Sequence, residues 1–366
     1  MLKNKNKKLL RKKIKIVLLA VMVVGSITFG FSQGAIAGLA QGDAITDPKA
    51  ILRYALPIEN EAVRKMQGSL EDLSRQLRVK MWGKINKDIK NAGFQLTVRR
   101  DRILAGVPEE FQPRAEVLLD ELTAGVEEMK ESAKARDREA LYIKRRELLD
   151  IVTELEESMV VGFPYEVPEE YANLPQLLGR ATVEMKTSKG DLSVVVDGYS
   201  APVNGGNFVD LVERGFYDGL DFNRAEDFYI VQAGDPPGKE DGFIDPETGE
   251  YRAIPLEVLT PEDEIPVYEI TLEDLGRYLD TPTLPFNAYG AIALARPADD
   301  PNGGSSQFFF FKFDTELTPP GFNLMDGRYS VFGYAVEGKE TLEELTAGDT
   351  IISAKVVKGL ENLVRP

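Results

Sequence analysis

The sequence has no histidine and no cysteine in 366 residues. The first absence removes the usual general base, a common zinc ligand and every Ser-His or Cys-His nucleophile pair. The second removes thiolate chemistry and disulfides together; it fits an oxidising compartment but occurs in cytosolic proteins as well, so it does not set the location. Any chemistry here needs neither residue. The length suffices for about two domains of ordinary size, each burying its own core.

Positive charge is also in deficit, with 44 Lys and Arg against 60 Asp and Glu. Eight of the cations fall in "MLKNKNKKLLRKKIK", which has no acid. Residues 16–31 are then apolar and almost uncharged, and Ala35-Ile36-Ala37 supplies the small residues of an A-x-A cleavage site. This predicts a secretory signal peptide over residues 1–37. The alternative is an uncleaved membrane anchor, for which the run is somewhat short of the roughly 20 residues a span needs. Cleavage leaves 36 cations against 60 acids, a net charge near −24. Such a chain is expected to be repelled by nucleic acid and by anionic membrane surfaces, and to be soluble or peripheral to the membrane.

Residues 43–161 predict an all-α bundle. Asp47-Pro48 reads as an N-cap followed by proline at the first helical position. Met66, Leu70, Leu73, Leu77 and Met81 repeat on one stripe, and Leu118, Leu122, Val126 and Met129 on another. Leu141, Leu148, Ile151, Val152, Leu155 and Met159 continue the helical spacing, as one long helix or a helix pair. The interleaved Lys, Arg, Asp and Glu read as a solvated face, and no residue of the bundle suggests chemistry. Pro164, Pro168 and Pro175 then mark a semi-rigid linker over 162–176, which keeps the two parts close enough to pack.

Residues 177–366 are mixed but mainly β. "RATVEMKTSKGDLSVVVD" alternates Val183 and Met185, then Leu192, Val194 and Val196, around a Lys189-Gly190 turn, which predicts a hairpin. "VNGGNFVDLVERGFYDG" predicts a short helix with Phe208, Leu211 and Val212 inward, closed by Gly215.

Four segments carry a resemblance: 201–236 ("APVNGGNFVDLVERGFYDGLDFNRAEDFYIVQAGDP"), 287–296 ("NAYGAIALAR"), 304–311 ("GSSQFFFF") and 324–338 ("LMDGRYSVFGYAVEG"). Their order and spacing resemble the cyclophilin family of peptidyl-prolyl isomerases. With "DPETGEYRAIPLEV" and "LPFNAYG" in an insertion, the layout is similar to the multidomain lumenal cyclophilins of cyanobacteria and chloroplast thylakoids. The resemblance implies a closed eight-stranded antiparallel β-barrel with capping helices and an active groove on its outer surface. Phe308 and Phe310 would then fill the barrel while Gln307 and Phe309 face the groove, since strand side chains alternate. Four phenylalanines in a row would otherwise be plain core strand, and for Phe309 that alternative stands beside a proline-ring pocket.

Prolyl isomerisation breaks no bond, which suits a chain without His or Cys. Partial double-bond character sets a rotation barrier of about 18–20 kcal/mol. An apolar seat for the ring and a donor near the prolyl nitrogen favour the twisted amide over the planar one. The resemblance makes Arg224 the catalytic arginine, with a surface ion pair to Glu226 or Asp227 as the alternative. It makes Tyr229, Ile230, Phe309 and Met325 the seat, sets Gln232 to orient Arg224, and puts Gln307 and Ala295 along the peptide groove. Asn223, Arg296, Leu324 and Tyr329 depart from the common family residues. Arg296 puts a cation where an amide usually binds the substrate backbone, and Leu324 replaces the Trp that binds cyclosporin. No metal and no cofactor is expected. The expected partners are proline-containing segments of client proteins, with lumenal loops of photosystem II proteins among them, in the thylakoid lumen or the periplasm. A chaperone-like binding module and assembly factor with weak or no turnover is the alternative function.

Overall fold

A computed structural model describes residues 45–246, 248–313 and 323–366; the predicted signal peptide lies outside them. Helix α1 (Pro48–Ala55) starts as expected, with the Asp47 carboxylate accepting from the backbone N–H of Lys49 at 2.9 Å. Helices α2 (Glu61–Arg78), α3 (Trp82–Val98), the short α4 (Arg100–Leu104), α5 (Gln112–Ala135) and α6 (Arg138–Glu157) follow. The predicted stripes meet in one apolar core, among them Met66, Leu70, Leu118, Leu122, Leu148 and Leu155. The second stripe is a helix pair, broken where Arg136 takes a left-handed conformation. Gly125 lets α5 close on α6, since a Cβ there would collide with the Leu148 side chain. Met81 leaves its stripe and is exposed, because Lys80, at φ 56°, ends the helix before it.

The rest is a curled antiparallel sheet. Strand β1 (Gln176–Leu177) precedes the predicted hairpin, β2 (Arg180–Thr187) and β3 (Gly190–Asp197), whose Val183 stands opposite Val194 and Met185 opposite Leu192. Helix α7 (Pro202–Glu213) leads to β4 (Arg224–Glu226) and β5 (Ile230–Ala233). A small pair, β6 (Glu257–Val258) and β7 (Val267–Tyr268), lies in the insertion. Then come β8 (Ala291–Leu294), β9 (Phe308–Phe311), β10 (Val331–Glu337), α8 (Lys339–Glu344), β11 (Ile351–Lys358) and β12 (Leu363–Val364).

The expected closed barrel is not formed. Strands run in the order β11-β2-β3-β10-β8-β9-β5-β4, and the edges β11 and β4 stand 13 Å apart, leaving a half-barrel. Strand β4 is only three residues long, and the turn after α7 enters the seam instead. Gly219 N–H donates to the Ile351 carbonyl at 2.7 Å, Asp218 accepts from Ala354 N–H at 2.8 Å, and one isolated bridge joins Asp221 to Thr350.

Phe308 and Phe310 sit in the concave core with Phe208 and Tyr217, as the alternation predicts. Phe309 and Phe311 belong to a second cluster on the outer face, which Ile51, Leu52 and Ala55 of α1 share with Tyr334. Polar links between α1, α6 and the sheet accompany this packing: Arg180 donates to the Leu52 carbonyl, and Lys358 pairs with Glu157 at 3.0 Å. The C-terminal Leu363 packs on the concave core through β12, which pairs with β1.

Candidate active site

Strand register builds the site. Arg224 stands opposite Gln232, Gln232 opposite Phe309, and Phe309 opposite Ala293, a single row across β4, β5, β9 and β8. Above this row lies a groove of about 600 Å³. It is lined by ten of the eleven predicted residues: Arg224, Tyr229, Ile230, Gln232, Ala295, Arg296, Gln307, Phe309, Met325 and Tyr329. Leu324 is the exception; it is 73 % exposed and lines a separate hollow beside Leu272 and Tyr278.

Phe309 is held from two sides. Phe286 stacks parallel to it at 6.0 Å between centroids, and Tyr329 meets it edge-on at 5.5 Å, both favourable aromatic geometries. The turn carrying Met325 is clamped onto Phe286. Asp326 accepts from Phe286 N–H at 2.8 Å, and Asn323 donates to the Phe286 carbonyl at 3.1 Å while accepting from Met325 N–H at 3.0 Å. Tyr229 closes this end, its hydroxyl 3.0 Å from the Met325 sulfur. The result is an apolar seat whose walls have little freedom to collapse.

The polar groups are arranged less directly than the sequence suggests. Arg224 is exposed and hydrogen-bonded to Glu226, the ion pair weighed as its alternative role. Gln232 donates to Gln307 at 2.7 Å, and Gln307 in turn donates to the Asp241 carbonyl at 2.8 Å. Arg296 directs its guanidinium at main-chain oxygens, those of Arg328 at 2.6 and 3.0 Å and Pro297 at 2.8 Å, and covers the Tyr329 ring at 5.1 Å. Burial holds its pKa below the usual arginine value. Arg296 therefore braces two loops rather than reaching freely across the groove.

Sequence reasoning missed one wall. Lys239, Glu240, Asp241 and Tyr251 from the insertion, with Pro297, Gly303 and Ser305, also line the groove. The unusual "DPETGEYRAIPLEV" segment was the available signal, since Tyr251 lies in it. Its Glu257 carboxylate is buried and accepts from Val203 N–H at 3.2 Å, Asn204 N–H at 2.9 Å, Asn204 Nδ2 at 3.0 Å and the Tyr268 hydroxyl at 2.8 Å. The insertion is thereby fixed to the N-terminus of α7, where free N–H groups and the helix dipole suit a carboxylate.

A curled antiparallel sheet with a helix in its concave side and an aromatic-floored groove on its outer face is the arrangement expected of a cyclophilin-type protein. Comparison with known proteins agrees. Residues 182–360 match the cyclophilin type peptidyl-prolyl cis-trans isomerase family, and residues 47–160 match the PsbQ-like domain of CYP38-like peptidyl-prolyl cis-trans isomerases. The chain is 64 % identical to a protein named as a thylakoid lumen peptidyl-prolyl cis-trans isomerase of Synechocystis, over 89 % of this chain and 86 % of that one. It is 44 % identical to the chloroplastic isomerase CYP38 of Arabidopsis thaliana, over 90 % of this chain and 77 % of the relative. With chloroplastic CYP37 of the same plant the identity is 32 %, over 86 % and 70 %. The chain belongs to the cyclophilin-type peptidyl-prolyl cis-trans isomerases and is closely related to the thylakoid-lumen members. It is an isomerase of an extracytoplasmic, thylakoid-lumen-type compartment.

Proposed function

We propose that the groove above Phe309 is the isomerase site, that Arg224 is its electrostatic catalyst, and that its clients are newly exported thylakoid proteins, lumenal loops of photosystem II proteins among them. The convergence of ten residues on one groove with a rigid aromatic floor supports the first point. In this reading Ile230, Phe309, Met325 and Tyr229 seat the proline ring, and Gln307 and Ala295 contact the peptide backbone. Arg224 leaves Glu226 when a peptide binds and donates toward the prolyl nitrogen as it turns pyramidal. The photosystem II clients rest on the likeness to lumenal cyclophilins of that assembly. Without the Trp replaced by Leu324, weak or absent cyclosporin binding is expected.

The Arg224–Glu226 pair favours a second reading, a binding module in which the arginine stays engaged and turnover is slow. A protease-coupled assay on a proline tetrapeptide separates the two. Arg224→Ala should lower the isomerisation rate at least tenfold, about 1.4 kcal/mol of transition-state stabilisation. Glu226→Gln should leave the rate unchanged or raise it. Equal rates for wild type and Arg224→Ala would leave the binding module as the function.

A further inference from the structure

Several lysines of the helical region are paired with acids: Lys130 with Glu127, Lys134 with Glu131, and Lys144 with Glu128 and Glu147. Helix α3 differs. Residues 75–102 carry nine Lys and Arg and two Asp, in a chain whose overall charge is −16. Ile85, Ile89, Ala92 and Leu96 turn inward, so at about 100° per residue Lys84, Lys87, Lys90, Phe94 and Val98 gather on the opposite face. The three lysines are exposed, and Phe94 and Val98 are 45 % and 63 % exposed. Among the described residues no ion pair involves these three ammonium groups. Asp88, the one acid of α3, is half-buried and hydrogen-bonded to Gln76 and Asn91. Arg99 adds a further cation over the Phe94 ring at 5.8 Å.

We propose that this face of α3 docks on an anionic lipid surface. Phosphate or sulfonate headgroups would meet the lysines, while Phe94 and Val98 enter the boundary between headgroups and acyl chains. Lysine stems bury along apolar surface and leave their charges outside, which suits this mixture of residues. The face belongs to a helix of 17 residues, about 25 Å long. The hollow of about 320 Å³ beside it touches the helix only at Phe94 and Gln95, and Glu59 and Glu61 on its other side disfavour an acidic peptide there. An acidic protein segment would use the lysines but would give Phe94 and Val98 nothing to enter. The net negative charge opposes membrane contact elsewhere on the molecule, so contact through α3 also sets its orientation.

The test uses residues 45–366, one compact unit that contains both large cores. It is sedimented with vesicles of phosphatidylcholine alone and of phosphatidylcholine with about one third phosphatidylglycerol. Binding is expected to the second only and to fall as salt rises. The combined change Lys84→Glu, Lys87→Glu and Lys90→Glu should weaken it about tenfold or more, and Phe94→Ser with Val98→Ser several-fold, both with unaltered melting and isomerase rate. In a Trp82→Phe, Phe94→Trp variant the emission should shift to the blue on anionic vesicles. Absence of binding, equal binding by the lysine variant, or no spectral shift in the bound state would overturn the proposal. So would binding that is indifferent to Phe94 and Val98 and is displaced by polyglutamate, which assigns the face to an acidic protein partner.

Discussion

Two additions are joined to the half-barrel, the insertion that carries β6 and β7 and the helical region that precedes β1, and each is joined near a buried glutamate. Glu257 of the insertion receives four hydrogen bonds. Glu156, near the end of α6, is as fully buried but has Arg64 at 3.5 Å from one oxygen and no hydrogen-bond partner for the other. Burial, only partly opposed by Arg64, Arg53 and Arg180, pushes its pKa up to about 7. The insertion supplies a wall of the groove, and among the described residues none of the helical region lines that groove. The part that shapes the site is fixed by a fully paired carboxylate, and the part outside it meets the sheet beside one held close to its ionisation point.

Removing Glu257 should break this contrast most severely. Glu257→Ala leaves buried donors of Val203, Asn204 and Tyr268 unpaired, a loss of about 3–5 kcal/mol. Denaturant midpoints measure it, and the isomerase rate should fall with it as the wall loosens. A variant that unfolds at the wild-type midpoint would mean the insertion is anchored elsewhere.

The pH dependence of stability tests the other side. A carboxyl whose folded pKa is raised binds more protons folded than unfolded between the two values. Glu156 therefore favours the folded state below about 4.5, and that contribution is lost as pH rises toward about 7, by on the order of 3 kcal/mol. The part of the melting-temperature change between pH 5 and pH 7.5 that Glu156 causes is a decrease, and Glu156→Gln should remove it. At pH 7.5 that variant should be as stable as wild type or about 1 kcal/mol more so, because a poorly paired buried charge is gone. The isomerase rate should be unchanged. The smallest effect belongs to the exposed pair of Lys358 and Glu157; Lys358→Ala should cost less than about 1 kcal/mol in the same melts.

Local alternation made much of this legible. The period of two along Gln307 to Phe311 already separates the phenylalanines that fill the concave core from Phe309, and the helical stripes locate the first core. Whether a sheet closes is a different matter, because it depends on register between β4 and β11, segments far apart in sequence, and no periodicity reports that. Leu324 was misplaced for a related reason: a motif match fixes position along the chain, not the direction in which a turn presents its side chain. The insertion wall went unseen because Lys239 to Asp241 lie in a stretch with neither helical nor strand period. The donors of Arg296 were beyond sequence reasoning, since their acceptors are main-chain oxygens that exist only once two loops have met.

Helix α1 has a consequence for the order in which the chain can acquire its structure. It packs against β10, in an apolar cluster that includes Tyr334, so one of the earliest described segments waits for one of the last strands. Closing so long a loop adds little entropy beyond a shorter one, since the cost grows only with the logarithm of length. The delay is kinetic, because contacts of such high sequence separation slow folding. While the chain emerges from one end, α2 to α6 can condense on their own core, but Ile51 and Leu52 stay uncovered until almost the whole sequence is present. Completion of the sheet and coverage of α1 are thus one event, which leaves a window in which the unfinished isomerase exposes the apolar surface typical of a folding client.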